Sequence, residues 1–274
     1  MILATASTTS SVTPDVVQEL HLATRHVDLI AIDGTARWSD LAAKTKTFDL
    51  GTLHADSMEF MVTPARVLAN DKQVAGLIGD SLLKNYDVSA DFGSNRLDLI
   101  SPDHCAGKVI YWPASAVAVV PIHISNDGTA TVDVTLDGVP VRARLTTAAE
   151  NTTLTAKAAE DKFKLTSQSP DMAPTGHIDD HADATIYRHR FKTLDFEGVA
   201  ASNVSVDILP DIIRSSLRNT KGFEPGLVNN IESRQPEMSL GMNVLKHLHI
   251  YIAYKEGQLY ITPANPPQSI PKTN

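Results

Sequence analysis

The sequence predicts a mainly β protein made of two similar lobes. Two observations carry that reading: the dominant hydrophobic period is two, and three stretches of the first half recur, in the same order, in the second half. The first recurring pair is Met1-Ile2-Leu3-Ala4-Thr5-Ala6-Ser7 and Ala143-Arg144-Leu145-Thr146-Thr147-Ala148-Ala149. The second is Lys46-Thr47-Phe48-Asp49-Leu50 and Lys192-Thr193-Leu194-Asp195-Phe196, each running without gaps to a proline, Pro64 and Pro210. The third is Leu77-Ile78-Gly79-Asp80-Ser81-Leu82-Leu83-Lys84 and Ser239-Leu240-Gly241-Met242-Asn243-Val244-Leu245-Lys246. The offsets, 142, 146 and 162, grow along the chain as if loops had lengthened in the second copy.

Alternation marks the strands, because successive side chains of a strand face opposite sides. Val132, Val134 and Leu136 alternate with Thr131, Asp133 and Thr135, and Val139, Val141, Ala143 and Leu145 continue the pattern. Asp137-Gly138 between them signals a tight hairpin, whose two central residues need positive φ. After each repeated Gly a short helix and two strands are expected: Tyr86–Phe92 and Arg96–Ile100 in the first copy, Ile250–Tyr254 and Gln258–Thr262 in the second. The helices are short. Thr13 is placed to cap one that begins at Pro14, with Val16, Val17 and Leu20 on one face; Thr155 to cap Ala156–Phe163; Thr63 to cap Pro64–Leu68; and Pro210–Leu217 is a further candidate. The expected division is a first lobe over 1–112, a second over 113–265 and a Pro-rich tail over 266–274.

Composition excludes several classes. The 274 residues carry 24 Lys+Arg against 32 Asp+Glu, a net charge of −8, which disfavours nonspecific binding to nucleic acid or to an anionic membrane. No apolar run approaches the ~20 residues that span a bilayer, so a soluble protein is expected. One cysteine, Cys105, excludes an internal disulfide and a multi-cysteine zinc site, and is expected to be a small buried side chain. The start, Met1-Ile2-Leu3, has no basic region or long apolar run of a signal peptide.

Each lobe resembles one half of a pepsin-like or retropepsin-like aspartic protease. The residues that carry the resemblance are the Asp-Gly hairpin, the strand entering a Thr-rich turn, the later Leu77-Ile78-Gly79 and Ser239-Leu240-Gly241, the short helix and the closing hairpin. The segment from Asp103-His104-Cys105 to Tyr111-Trp112-Pro113 is similar to the linker of bacterial two-lobe members. The resemblance implies one Asp-Thr-Gly turn per lobe, the two aspartates facing each other across a cleft. Two carboxylates about 3 Å apart share a proton, so one activates water as general base while the other donates to the substrate carbonyl.

The sequence departs at those turns. The Asp positions hold Ala4 and Thr146, the Gly positions Ala6 and Ala148, and only the Thr positions are kept, as Thr5 and Thr147. A methyl and a hydroxyl cannot share a proton, and Glu150, four residues past Thr146, is expected to point elsewhere. Two explanations stay open: natural decay, and deliberate inactivation of a working enzyme. Four altered positions with unlike replacements favour decay. Lobe one also has three residues before Ala4 where lobe two has about 30 of strand before Thr146, which suggests a truncated or processed chain, with an exported precursor open, or an edge covered by a partner chain or by the other lobe.

The readings that follow are a non-catalytic binder of an extended peptide or protein segment in the inter-lobe cleft, an aspartic endopeptidase in inactivated form, and a structural or assembly protein. Peptide binding would proceed by strand addition. Monomer and homodimer stay open, as does the compartment. The flap of lobe one is placed at Asp33-Gly34-Thr35-Ala36-Arg37-Trp38, with Trp38 either contacting a bound peptide or packing beneath the flap. No cofactor or metal is expected. His177-Ile178-Asp179-Asp180-His181 has the i, i+4 histidines of a helical metal site, but follows Pro174-Thr175-Gly176 and is read as a polar loop in the flap hairpin of lobe two. His247 and His249 are read as surface and strand residues, and Ser7, Ser10 and Ser11 as turn residues.

Overall fold

The computed structural model describes residues 1–31, 38–63, 74–105, 107–112, 116–124, 130–178, 181–210 and 236–264. By packing, the chain forms two compact units: Met1–Lys84 with Asn126–Thr129, and Asn85–Ser125 with Ala130–Asn274. This is a division by contacts; the boundary at 112 expected from the sequence is one of repeats.

The first unit holds β1 (Ile2–Leu3), β2 (Ser11–Val12), α1 (Pro14–Glu19), β3 (Ala23–Ala31), β4 (Trp38–Lys44), β5 (Phe48–Leu50), β6 (Leu53–Ala55), β7 (Glu59–Val62), β8 (Gly76–Ile78) and α2 (Asp80–Leu83). Six strands form one sheet in the order β1-β8-β2-β7-β4-β3, and β5 and β6 pair as a separate hairpin. Thr13 caps α1 through its Oγ1, which accepts from Val16 N at 3.4 Å, with Pro14 in the first turn, where its missing N–H costs nothing. Phe60, Met61, Val62, Leu77, Ile78 and Leu83 are buried. The expected helix at Pro64–Leu68 lies outside the described residues.

The second unit holds β9 (Asp87–Asp91), β10 (Arg96–Ile100), β11 (Ala118–Ile124), β12 (Ala130–Leu136), β13 (Val139–Leu145), β14 (Thr152–Thr155), α3 (Ala156–Phe163), β15 (Ala173–Ile178), β16 (His181–Phe196), β17 (Val199–Leu209), β18 (Met238–Leu240), α4 (Met242–Leu245), β19 (Leu248–Ala253) and β20 (Gln258–Pro263). One sheet takes the order β10-β9-β19-β20-β11-β12-β13-β18-β14-β17-β16-β15, and a pairing of β12 with β16 closes β12 through β16 into a barrel. Its strands are rich in buried apolar side chains: Val132, Leu136, Ala143, Leu154, Phe191, Leu194, Val206, Met238 and Leu240 are all buried. On β12 and β13 the alternation read from the sequence puts Val132, Val134, Leu136, Val141, Ala143 and Leu145 on buried positions.

The Asp137-Gly138 turn forms as expected, with φ of 47° and 79°. Both residues lie in the left-handed region, so the backbone twist of the turn matches that of its strands. Asp137 Oδ1 also accepts from Thr193 N at 2.7 Å, fastening the hairpin to β16. Thr155 caps α3, its Oγ1 accepting from Ala158 N at 3.2 Å. The two closing hairpins, β9–β10 and β19–β20, join edge to edge through antiparallel β9 and β19, with His249 opposite Asp91 and Tyr251 opposite Ser89. The candidate helix at Pro210–Leu217 falls almost wholly outside the described residues, as does the tail.

Candidate functional site

Each unit contains one turn of the kind the sequence singles out, and the two are held by the same bonds. In the first unit β1 runs parallel to β8, with Ile2 opposite Leu77 and Leu3 opposite Ile78. In the second, β13 runs parallel to β18, with Arg144 opposite Ser239 and Leu145 opposite Leu240. The central strand then pairs antiparallel with the strand that leaves the turn: β8 with β2, and β18 with β14. That outgoing strand pairs parallel with β7 in one unit and with β17 in the other. Every partner in the second unit is displaced from its counterpart by 142, 146 or 162 residues, the offsets read from the sequence.

The first turn residue is fixed identically in both. Ala4 N donates to Ile78 O at 2.8 Å, and Thr146 N donates to Leu240 O at 2.9 Å. Ala4, Thr5 and Thr146 are buried; Ala6 and Thr147 are half-buried and Ala148 is exposed. The glycine after each central strand has no room for a side chain. A Cβ on Gly79 would lie 2.3 Å from Thr9 O, and one on Gly241 would lie 2.4 Å from Asn151 C and O. The short helix after each glycine ties back to the turn: Asp80 N donates to Ser7 O at 2.7 Å and Met242 N to Ala149 O at 2.8 Å.

A hydroxyl completes each support. Ser10 Oγ accepts from Gly79 N at 3.1 Å and shares a hydrogen bond with Ser81 Oγ at 3.0 Å. Thr152 Oγ1 accepts from Gly241 N at 3.0 Å and donates to Asn243 Oδ1 at 2.7 Å. The sequence reading had Ser10 as a turn serine only and did not single out Thr152, Ser81 or Asn243. The constant offsets, 142 for Ser10/Thr152 and 162 for Ser81/Asn243, are the signal that could have found them.

Neither turn offers a carboxylate at its first position, so no acid–base pair is built from Ala4 and Thr146. Glu150 is exposed, and its carbonyl accepts from Asn243 N at 2.8 Å. Trp38 opens β4, but its side chain and residues 32–37 lie outside the described set. His177 stands on β15 opposite Thr185 of β16, within a hairpin as expected but on a strand rather than in the polar loop read from the sequence; its Nδ1 lies 3.5 Å from Thr185 Oγ1, and residues 179–180 lie outside the described set. Cys105 is exposed, which corrects the expectation of burial: it sits on the segment after β10, outside the sheet core. Ser89 and His249 approach within 3.0 Å, but Ser89 is buried and His249 Nδ1 is 4.0 Å from Asp91, too far for a hydrogen bond. They form no accessible nucleophile. No described helix is long and apolar enough to cross a membrane.

Part of the chain is similar to aspartic proteases. Residues 132–244, which span the second turn from β12 to α4, match the family model described as aspartyl protease. Among solved structures the chain is similar to a retropepsin-like aspartic protease from Rickettsia conorii, with 13% identity over 55% of this chain and 94% of that one and a TM-score of 0.35. It is also similar to basic 7S globulin from soybean (9% identity, 95% and 86% covered, TM-score 0.45) and to conglutin gamma, a basic 7S globulin from lupine seeds (11%, 96% and 87%, 0.48). No curated protein matches the chain by sequence.

Proposed function

We propose that this protein is a catalytically inactive relative of aspartic proteases that binds an extended peptide or protein segment. One observation carries the reading: the turn scaffolds are intact, with equivalent backbone bonds at Ala4 and Thr146, yet neither first position holds an acid. General acid–base hydrolysis needs a group that titrates near working pH, and neither methyl nor aliphatic hydroxyl does. Retention of the scaffold without the acids fits binding in place of hydrolysis. Main-chain hydrogen bonds would supply affinity and side-chain pockets the choice of sequence.

The test incubates the chain with a random peptide library from acid to neutral pH. The expected result is no cleavage, with retention of a subset of peptides that calorimetry then measures. Cleavage by the chain as it stands, or retention of no peptide, overturns the reading. The intact turn backbone also favours a second reading, an endopeptidase in inactivated form. Under it, the combined Ala4→Asp, Ala6→Gly, Thr146→Asp and Ala148→Gly variant cleaves the library with an acid optimum. A folded quadruple variant without activity counts against that second reading and leaves the first standing.

A further inference from the structure

Within the second unit, residues 101–105 and 107–112, which follow β10, are pinned to the closing hairpins at two histidines in opposite electrostatic settings. His104 stands between two carboxylates. Its Nε2 contacts Asp87 Oδ2 on β9, and its Nδ1 lies 3.3 Å from Glu256 Oε1, in the turn between β19 and β20. Asp87 is fully buried; Tyr251 OH donates to its Oδ2 at 3.0 Å, and its Oδ1 has no partner among the described residues. Glu256 accepts from Tyr260 OH at 2.7 Å and from Gly107 N at 3.2 Å. Lys255 and Asp103 pair with each other at 2.7 Å on the exposed rim. An imidazolium donates from both nitrogens, Nε2 to Asp87 and Nδ1 to the Cys105 carbonyl at 3.3 Å, with its charge facing Glu256. A neutral imidazole donates from one, leaving a lone pair of the other facing an acceptor and both carboxylates without a counter-charge.

His249 has the reverse setting. It is buried in β19, and Trp112 stacks on it with ring centres 3.8 Å apart. Its Nε2 meets Ser89 Oγ at 3.0 Å, which also accepts from Tyr111 OH at 3.1 Å. Its Nδ1 has no hydrogen-bond partner among the described residues. Asp91 Oδ2, 4.0 Å away, is already bonded to Ser94, and Asp98 and Arg96 of β10 add opposing fields. A proton on Nδ1 would bury a charge with no acceptor. Trp112 is anchored besides by Nε1 donating to Thr262 Oγ1 at 3.0 Å.

We propose that residues 101–105 and 107–112 form a two-sided protonation latch, fastened while His104 is charged and His249 neutral, and loosened when either changes. The directions of titration agree. His104 is raised above its ordinary 6.5, first by its bond to Asp87 and against the effect of burial, so its contribution is full below about 6.5 and is lost as pH rises through its folded value. His249 is lowered below 6.5, chiefly by burial, so its contribution is full above about 6.5 and is lost as pH falls. The latch is tightest near the value where the two ranges meet.

The test is amide hydrogen exchange on the full chain from about pH 5 to about pH 9, corrected for intrinsic rates. Protection at Gly107 and Lys108 is expected to peak near neutrality and to fall about tenfold or more toward each end, while the β12–β13 hairpin stays constant. His104→Gln should flatten the alkaline limb alone and His249→Phe the acid limb alone. A flat profile in the wild type, limbs unchanged in folded variants, or the same change throughout the molecule overturns the proposal. Should a variant misfold, NMR titration of the wild-type histidines replaces it: midpoints that coincide with the limbs support the latch, and midpoints elsewhere overturn it.

Discussion

Gly241 N–H donates to Thr152 Oγ1 at 3.0 Å, joining residues 89 apart in the chain. The bond lies directly beneath the second turn, and its counterpart joins Gly79 to Ser10 at 3.1 Å beneath the first. Each turn is therefore followed, four residues on, by a hydroxyl bonded to a glycine far along the chain.

Thr152 is fully buried and both donates and accepts. Thr152→Val keeps the shape but strands the Gly241 N–H and removes one of two bonds to Asn243 Oδ1, which still accepts from the backbone N of residue 152 at 2.8 Å, so a loss of about 1–3 kcal/mol is expected in urea unfolding. Thr152→Ser keeps the hydroxyl and should cost only about 1 kcal/mol for the lost methyl. Equal losses in the two variants would mean that packing, not the hydrogen bonds, is what the residue supplies.

Gly241→Ala places a Cβ 2.4 Å from the Asn151 backbone, which cannot swing aside as a side chain can. We expect a loss of about 1–3 kcal/mol, with retained helix and strand signals in circular dichroism. Gly138→Ala meets nothing within 4 Å and suffers only from its φ of +79°, so about 1 kcal/mol is expected. Calorimetric unfolding of the pair should rank Gly241→Ala as the worse.

Asp137 holds a positive φ and accepts from Thr193 N. Asp137→Ala loses both the local tolerance of that backbone and the acceptor, at about 1–2 kcal/mol. Asp137→Asn keeps the tolerance and a carbonyl acceptor, and its unfolding midpoint should stay near that of the parent.

Tyr260 is pushed up to about 12, first by burial and then by its hydrogen bond to Glu256. Because the folded value is above the ordinary 10.0, this group's stabilising effect is complete below about pH 10 and is lost as pH rises from there toward about 12. Unfolding midpoints of the wild type should fall across that range more steeply than those of Tyr260→Phe. Parallel slopes would show that the phenol does not contribute.

Much of the fold was legible because it rests on local chemistry. Thr13-Pro14 and Thr155 start helices by satisfying orphan N–H groups. Asp137-Gly138 turns the chain because those residues tolerate positive φ. Period-two alternation from Val132 to Leu145 fixes which side chains are buried. The repeat offsets carried even the strand register around both turns, since equivalent residues must meet equivalent partners for the same hydrogen bonds to form. The two turns at Ala4–Ala6 and Thr146–Ala148 were legible as equivalents, but of their supports Ser81 and Asn243 were visible only as members of the third repeat, Ser10 only as a turn serine, and Thr152 not at all.

Other features had no local signal. The burial of Asp87 beneath His104, the edge-to-edge joining of β9 and β19, the stacking of Trp112 on His249 and the exposure of Cys105 depend on which distant strands lie side by side. The chain thus specified by itself its turns, caps, strand faces and repeated register, all set by a few neighbouring residues. Long-range pairing in three dimensions decided which ionisable groups share a buried space, because burial and distance, not sequence spacing, govern how charges act on one another.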